Sequence, residues 1–342
     1  MSDIVRDFGW GNPYFLLEIL DNTYHQRLAP FNIKDMIYCP DLGMDKLIEV
    51  THKMIEETMG LKYENIIITT GATQAANILL RVLKNPTGKL EIFNNVETPP
   101  YGFPYYGNMI EKAGYTRTSD LKKLKGFDHT SVKLIDSPSN PQGIQFGDDY
   151  GNEVNTIWDS VYHNKIYTTN LTTIPKHRAM VGSYSKLLGI TGVRIGFIAT
   201  DYHALAKKCA QECLMENATI SVPSQELIID IMDKIDLDNF LTAGKNSLDR
   251  NREEFRKIEY LFDNQPVPET GMFYCAFADK KALEILEKCG IKYVDLGDSY
   301  IRLSLGQTNE ITRKAIAAIL KEDKKWAEIQ KLKKEQLVLK EV

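Results

Sequence analysis

Residues 183–197 read SYSKLLGITGVRIGF: one lysine, Lys186, stands among small hydroxylated residues, and one arginine, Arg194, follows eight positions on in a glycine-flanked apolar run. A lysine in a desolvated, cation-rich site loses proton affinity and becomes a nucleophile toward an aldehyde, which makes Lys186 a candidate for a Schiff base. Arg194 is a fixed cation with a planar fork of donors, suited to gripping a phosphate through paired hydrogen bonds. Placed on an apolar strand, it would need an anion to offset its burial. Ser183 ends an apolar run, and upstream NIIITTGATQAA carries a strand-like segment through Gly71, Ala72 and Thr73 into a helix-like one. Backbone N–H groups and the positive end of the helix dipole face an anion at such a junction. Singly, each feature has a plainer explanation: a solvated lysine, a turn glycine, a capping threonine. Together they set an aldehyde-reactive amine beside a phosphate site.

Elements that would hold these residues alternate along the chain. Strands are expected at NIIITT (65–70), LEIFNN (90–95), VKLIDS (132–137), NTIWDS (155–160), AMVGSYS (179–185) and RIGFIAT (194–200), with ATQAANILLRVLK the clearest helix between them. Such alternation is the pattern of βαβ units around a mostly parallel sheet, which places ligands at the carboxyl ends of its strands. From 222 to 262 the pattern turns helical. Beyond VPETG a smaller α+β unit follows, with strands at MFYCAFA, IKYVDL and SYIRLSL and a helix at KKALEILEKCG. The fold class expected is α/β, a three-layer α/β/α domain with a mostly parallel sheet plus a smaller α+β domain.

Composition limits the partners. Of 342 residues, 43% are hydrophobic and 26% charged, and the formal net charge is −4 with both signs interspersed. That excludes a dedicated nucleic-acid surface, and no apolar run reaches the ~18 residues of a membrane span. The opening MSDIVRDFGWGNPYF has neither a basic nor an apolar leader segment, and the five cysteines form no CxxC pair, so a cytoplasmic protein with reduced thiols is expected. Cys209 and Cys213 are spaced i, i+4 on a probable helix, but without accompanying histidines they read as structural, and no metal is expected. The charged tail reads as a solvated helix with Trp326, Ile329, Leu332 and Leu337 on its apolar face.

The lysine segment resembles that of the fold-type I pyridoxal-phosphate enzymes, the class I/II aminotransferases, and seven segments resemble theirs in family order. SPSNPQG is similar to NPxNPTG, implying that Asn140 bonds the cofactor's phenolic oxygen. IWDSVYHN is similar to DExY, implying that Asp159 pairs with the pyridine nitrogen and Tyr162 with the phenolic oxygen. TPPYGF resembles PxY, which makes Tyr101 the residue that stacks on the ring. IYCPDLGMDKLIE resembles YxxxxGxxxLR, whose tyrosine, here Tyr38, reaches the phosphate of a neighbouring subunit. SYIRLSLG resembles RLSxA/G, giving Arg302 as the clamp for the substrate carboxylate, and GWGNP stands at the N-terminal glycine-proline segment, with Gly11 lining the same pocket. Gly71, Ala72, Thr73, Ser183 and Arg194 are left to hold the phosphate, and Lys186, Asp159 and Tyr162 to do the chemistry.

The resemblance implies pyridoxal 5'-phosphate as cofactor, a homodimer, and transfer of an α-amino group from an L-amino acid to a 2-oxo acid. Within the family, SPSNPQG, WDSVYH and YSKLLGITGVRIGF look most like the branch of tryptophan–pyruvate aminotransferases and alliinases. A β-eliminating carbon–sulfur lyase or a decarboxylase of the same fold is therefore an alternative, and a non-catalytic fold relative a second. Regulators of this fold carry a DNA-binding winged helix ahead of it, and none is expected before GWGNP. Trp10, Tyr14, Phe15, Phe103, Tyr105 and Tyr106 favour an aromatic or apolar donor if they line the pocket; packing in the core or a dimer interface is the other explanation. The cofactor domain is expected at 44–240, and the small domain at 1–43 and 241–342.

Overall fold

Runs of β-branched and apolar residues form seven strands of one sheet: β1 (Asn65–Thr69), β2 (Asn95–Glu97), β3 (Thr116–Thr118), β4 (Ser131–Asp136), β5 (Thr156–Asp159), β6 (Ala179–Ser183) and β7 (Gly196–Thr200). The computed structural model describes residues 7–9, 11–24, 37–40, 42–84, 93–126 and 130–338, with side chains as far as residue 327. Strand order is β1-β7-β6-β5-β4-β2-β3. The pairs β2–β3, β2–β4, β4–β5 and β5–β6 are parallel, whereas β7 runs antiparallel to both β1 and β6. The fold class is α/β, as the alternation implied.

Three details depart from the sequence pattern. The expected strand at 90–95 is described only from residue 93, and its ladder lies at β2; residues 90–92 fall outside the described residues. The edge strand β3 reads Thr-Arg-Thr, too short and polar to show any period. Strand β7 begins at Gly196, so Arg194 lies in the turn before it and not on the strand.

Strand β4 is buried at all six positions although it carries Lys133. That ammonium is accommodated because its Nζ donates to the carbonyls of Leu124, Gly126 and Tyr150. Two of these carbonyls belong to the end of the helix Leu121–Lys125, where unpaired C=O groups and the helix dipole both favour a cation. Helices Ala72–Lys84 and His203–Asn217 pack on each other and on the β1/β7 side of the sheet.

The chain divides into two compact units, one of residues 16–245 with 269–271, the other of 1–15, 246–268 and 272–342. Residues 16–43, expected with the small domain, belong to the larger unit. Part of the cause is Leu16, which fills space left by two glycines: a Cβ on Gly189 would meet Leu16 Cβ at 2.9 Å, and one on Gly244 would meet Leu16 Cδ2 at 2.8 Å.

The smaller unit is built on an antiparallel sheet of β8 (Phe273–Phe277), β9 (Val294–Gly297) and β10 (Tyr300–Ser304), in the order β8-β10-β9. Its core includes Phe8, Phe255, Phe262 and Tyr274, packed edge to face. Asn251 is fully buried and uses its amide to donate to the carbonyls of Leu305 and Gln307, which ties the chain after β10 to the helix Leu237–Arg256. In the last helix, Asn309–Val338, Trp326 lies under Lys281 Nζ at 4.9 Å from the ring centre. The side chains of Ile329, Leu332 and Leu337 lie outside the described residues.

Candidate active site

Strands β4, β5 and β6 are parallel neighbours, so they end on one edge of the sheet, and their last residues are Asp136, Asp159 and Ser183. A cleft opens at this edge. Its lining includes Ala72, Thr73, Asp136, Asn140, Asp159, Tyr162, Ser183, Lys186 and Arg194, with Phe103, Tyr106 and Met109 as its apolar and aromatic part. Residues separated by more than a hundred positions thus reach one cleft through strand ends and the turns that follow them.

Lys186 sits on the one-turn helix Tyr184–Leu187 that starts where β6 stops. Ser183 caps that helix, its Oγ accepting from Ser185 N at 3.1 Å and donating to Ile195 O at 3.1 Å. The backbone of Lys186 is fixed from the other side, where Tyr167 donates its hydroxyl to Lys186 O at 2.9 Å. Tyr167 in turn meets Tyr162 edge to face at 5.2 Å.

Asp159 is half-buried and accepts two hydrogen bonds, from the Tyr106 hydroxyl on Oδ2 at 2.7 Å and from Val161 N on Oδ1 at 3.1 Å. Burial raises its carboxyl above the ordinary range, and these two donors pull the other way. Tyr106 is itself pushed well above the usual phenol range, first by burial and then by the charge of Asp159, so it remains a hydroxyl donor. Asn140 donates its backbone N–H to Asp136 Oδ2 at 2.8 Å.

The phosphate-suited residues cluster at the other side of the cleft. Thr73 lies in the first turn of the helix Ala72–Lys84, whose leading N–H groups have no acceptor within the helix. Arg194 is exposed, at φ 61°, with Nη1 donating to Thr191 O at 2.8 Å and Nη2 to Thr70 O at 3.1 Å. Its position therefore does not rest on offsetting a buried charge, as the sequence suggested. Gly71 makes room for it: at φ 110° it tolerates the turn, and a Cβ there would meet Arg194 Nη2 at 2.6 Å.

Other expected site residues stand elsewhere. Gly71 lies beneath the guanidinium of Arg194 and outside the lining, which Ala72 and Thr73 supply. Tyr101, expected against the ring, is 36% exposed and outside the lining, where Phe103 and Tyr106 hold the aromatic positions. Two residues of spacing separate these explanations in a segment carrying four aromatics, which the sequence alone could not order. Tyr38 is 79% exposed on the larger unit. Tyr105 is also exposed, Phe15 is a core residue of the smaller unit, Tyr14 accepts from Asn12 Nδ2, and Trp10 lies outside the described residues.

Arg302, on β10 of the smaller unit, is buried; Nη2 donates to Gly9 O at 3.0 Å and the guanidinium lies 4.3 Å from the Phe273 ring centre. Gly11 is half-buried in the same unit. Cys209 and Cys213 lie on the buried face of the helix His203–Asn217, where burial pushes their thiols up to about 12 and about 11.

Asp136 and Met109 are among the lining residues that the sequence did not assign to a site. A signal existed for Asp136: it closes a strand one place before SPSNPQG, as Asp159 closes the next strand.

The sequence matches the profile of the allinase family over residues 23–284. The chain belongs to the allinase family. Among curated relatives of this family member, tryptophan aminotransferase-related protein 1 of Oryza sativa subsp. japonica is 26% identical over 191 residues, 54% of this chain and 41% of that protein. The putative aminotransferase YugH of Bacillus subtilis (strain 168) is 26% identical over 47% of this chain and 48% of its own. The chain spans about half the length of these relatives. Its fold is that of solved aminotransferases: the aromatic aminotransferase from Pyrococcus horikoshii OT3 superposes with a TM-score of 0.73 at 18% identity, covering 95% of this chain and 97% of that one. The aspartate aminotransferase from Thermus thermophilus gives 0.72 at 18% identity over 92% and 90%.

Proposed function

We propose that this allinase-family chain is a cytoplasmic pyridoxal 5'-phosphate-dependent aminotransferase, acting as a homodimer, that moves the α-amino group of an L-amino acid to a 2-oxo acid. One observation carries the proposal: Lys186, Asp159, Asn140, Tyr162 and Ser183 arrive from separate elements to line a single cleft beside Thr73 and Arg194. Their chemistry fits the cofactor. The cleft offers an amine for an aldehyde, a half-buried carboxylate for a ring nitrogen, an amide and a phenol for a phenolic oxygen, and a helix start with a guanidinium for a phosphate.

When bound, the cofactor supplies an electron sink for the pair left at the substrate's Cα. The residues do the rest. Asp159, oriented by Tyr106 and Val161, holds the proton on the ring nitrogen. Asn140 and Tyr162 direct hydrogen bonds at the phenolic oxygen, while Thr73, Ser183 and Arg194 anchor the phosphate. Lys186 Nζ takes the proton from Cα as a base and returns it as an acid. Arg302 is assigned to the substrate carboxylate, supported by its burial and by the hold of Gly9 O and Phe273 on its guanidinium. Tyr38, strongly exposed, is assigned to the phosphate site of a second copy. Phe103, Tyr106 and Met109 in the lining support an aromatic or apolar donor.

Membership of the allinase family favours a second reading, β-elimination at a carbon–sulfur bond with the same cofactor. Product analysis separates the two. Transamination yields a 2-oxo acid and leaves the nitrogen on the cofactor, whereas elimination releases ammonia and pyruvate with the cofactor unchanged.

A further inference from the structure

Asp136 and Asp159 close adjacent parallel strands and stand opposite each other in register, and both line the cleft. Asp136 is only 3% exposed. Two carboxyl groups at paired strand ends, one buried and the other half-buried, do not readily both ionise near neutral pH.

Hydrogen bonds decide which one keeps the proton. Asp159 accepts on both oxygens, from Tyr106 and from Val161 N. Asp136 accepts from Asn140 N on Oδ2, whereas its buried Oδ1 has no hydrogen-bond partner. An anion with one unsolvated oxygen is the less stable of the two. The other charged or titratable groups toward Asp136 are Tyr106, Arg117, and Lys186 and Arg194 of the lining. Arg117 favours the anion by its charge, but its Nε is committed to Thr98 Oγ1 at 3.0 Å. Burial, and then the neighbouring charge of Asp159, hold Asp136 well above the usual carboxylate range.

We propose that the pair carries one negative charge, with Asp159 the anion and the proton on Asp136. The edge of the sheet then offers one anion, matched to one ring N–H, and beside it a neutral carboxyl that adds no second charge. The choice of ligand rests on the pyridoxal-phosphate proposal; the location of the proton does not.

The experiment has two arms on the full-length chain. In the first, carboxyl-¹³C aspartate is incorporated and titrated by NMR without added cofactor. One buried carboxyl is expected to stay protonated through neutral pH, with its resonance absent from Asp136→Asn. If the Asp136 resonance instead titrates with the ordinary carboxylates near pH 4, the proposal is overturned. In the second arm, pyridoxal phosphate affinity is measured by equilibrium dialysis. Asp136→Asn, neutral like the protonated parent, should bind close to the parent. A loss of about ten-fold or more in Asp136→Asn would show that a charge was needed there and would also overturn the proposal. Should the parent itself bind no pyridoxal phosphate, the cofactor assignment fails while the first arm still locates the proton.

Discussion

The Tyr106 hydroxyl donates to Asp159 Oδ2 at 2.7 Å, joining the start of the helix Tyr106–Lys112 to the last residue of β5 inside the cleft. The bond orients a half-buried carboxylate that also accepts from Val161 N, so Asp159 is held in place before any ligand arrives.

Tyr106→Phe keeps the ring in the lining and removes only that donor. Losing a hydrogen bond to a charged group is expected to cost about 1.5–3 kcal/mol, roughly ten- to a hundred-fold in kcat/KM if Asp159 must face the ring nitrogen. Steady-state kinetics beside a thermal melt check it. Activity within two-fold of the parent would separate Tyr106 from the chemistry.

Lys186→Ala should retain pyridoxal phosphate through the phosphate-side residues yet no longer be labelled when borohydride is added. Peptide mapping of the parent protein after reduction should place the label on Lys186. Label on any other lysine would remove Lys186 from its assigned role.

Arg302→Leu and Arg302→Lys test the carboxylate assignment. Leucine removes charge and fork, and the loss of a charge-assisted pair is expected to lower kcat/KM for amino and oxo acids by ~2–5 kcal/mol, with cofactor affinity nearly unchanged. Lysine restores the charge without the planar pair of donors, so only part of the activity should return. Equal turnover by Arg302→Leu and the parent would place the carboxylate site elsewhere.

Stability should fall on mild acidification because of two histidines flanking Trp158, the buried His163 at 4.8 Å and the half-buried His177 at 5.0 Å between ring centres. His177 Nδ1 lies 2.7 Å from Pro175 O, and a carbonyl only accepts, so the ring proton is on Nδ1. In the neutral ring Nε2 then accepts from the Tyr63 hydroxyl at 2.6 Å. Burial lowers both histidines below the ordinary range. Above ~6.5 the unfolded chain's histidines are neutral too and this contribution is complete; below it the unfolded state binds the extra protons, and stability declines toward the folded-state values. Urea midpoints should drop between about pH 7.5 and 5.5, and less steeply in His177→Asn. Parallel profiles for parent and variant would refute the assignment.

Much of the site was legible because several of its residues stand at element ends, where turn chemistry and spacing leave marks in the sequence. Lys186 and Ser183 flank the end of β6, Asp159 ends β5, and Asn140 follows β4 in a proline-rich turn. The misplacements have a common cause. Arg194 lies two residues before β7 begins, a difference that apolar periodicity cannot resolve, and that difference removes the burial on which the anion argument relied. Tyr101 and Phe103 differ by two positions in a segment whose backbone follows no regular period, so which ring enters the cleft depends on the turn after β2 and not on composition. Strand β3 pairs only with β2 at the sheet edge and carries no hydrophobic face to betray it.

The most direct measurement is a half-reaction: the protein loaded with pyridoxal phosphate is mixed with a panel of L-amino acids, without oxo acid, and the cofactor's visible absorption is followed. The account predicts that at least one aromatic or apolar amino acid bleaches the band stoichiometrically, releases its 2-oxo acid, and that adding a 2-oxo acid restores the band. Release of ammonia and pyruvate with the band unchanged, or no response to any amino acid, would contradict it.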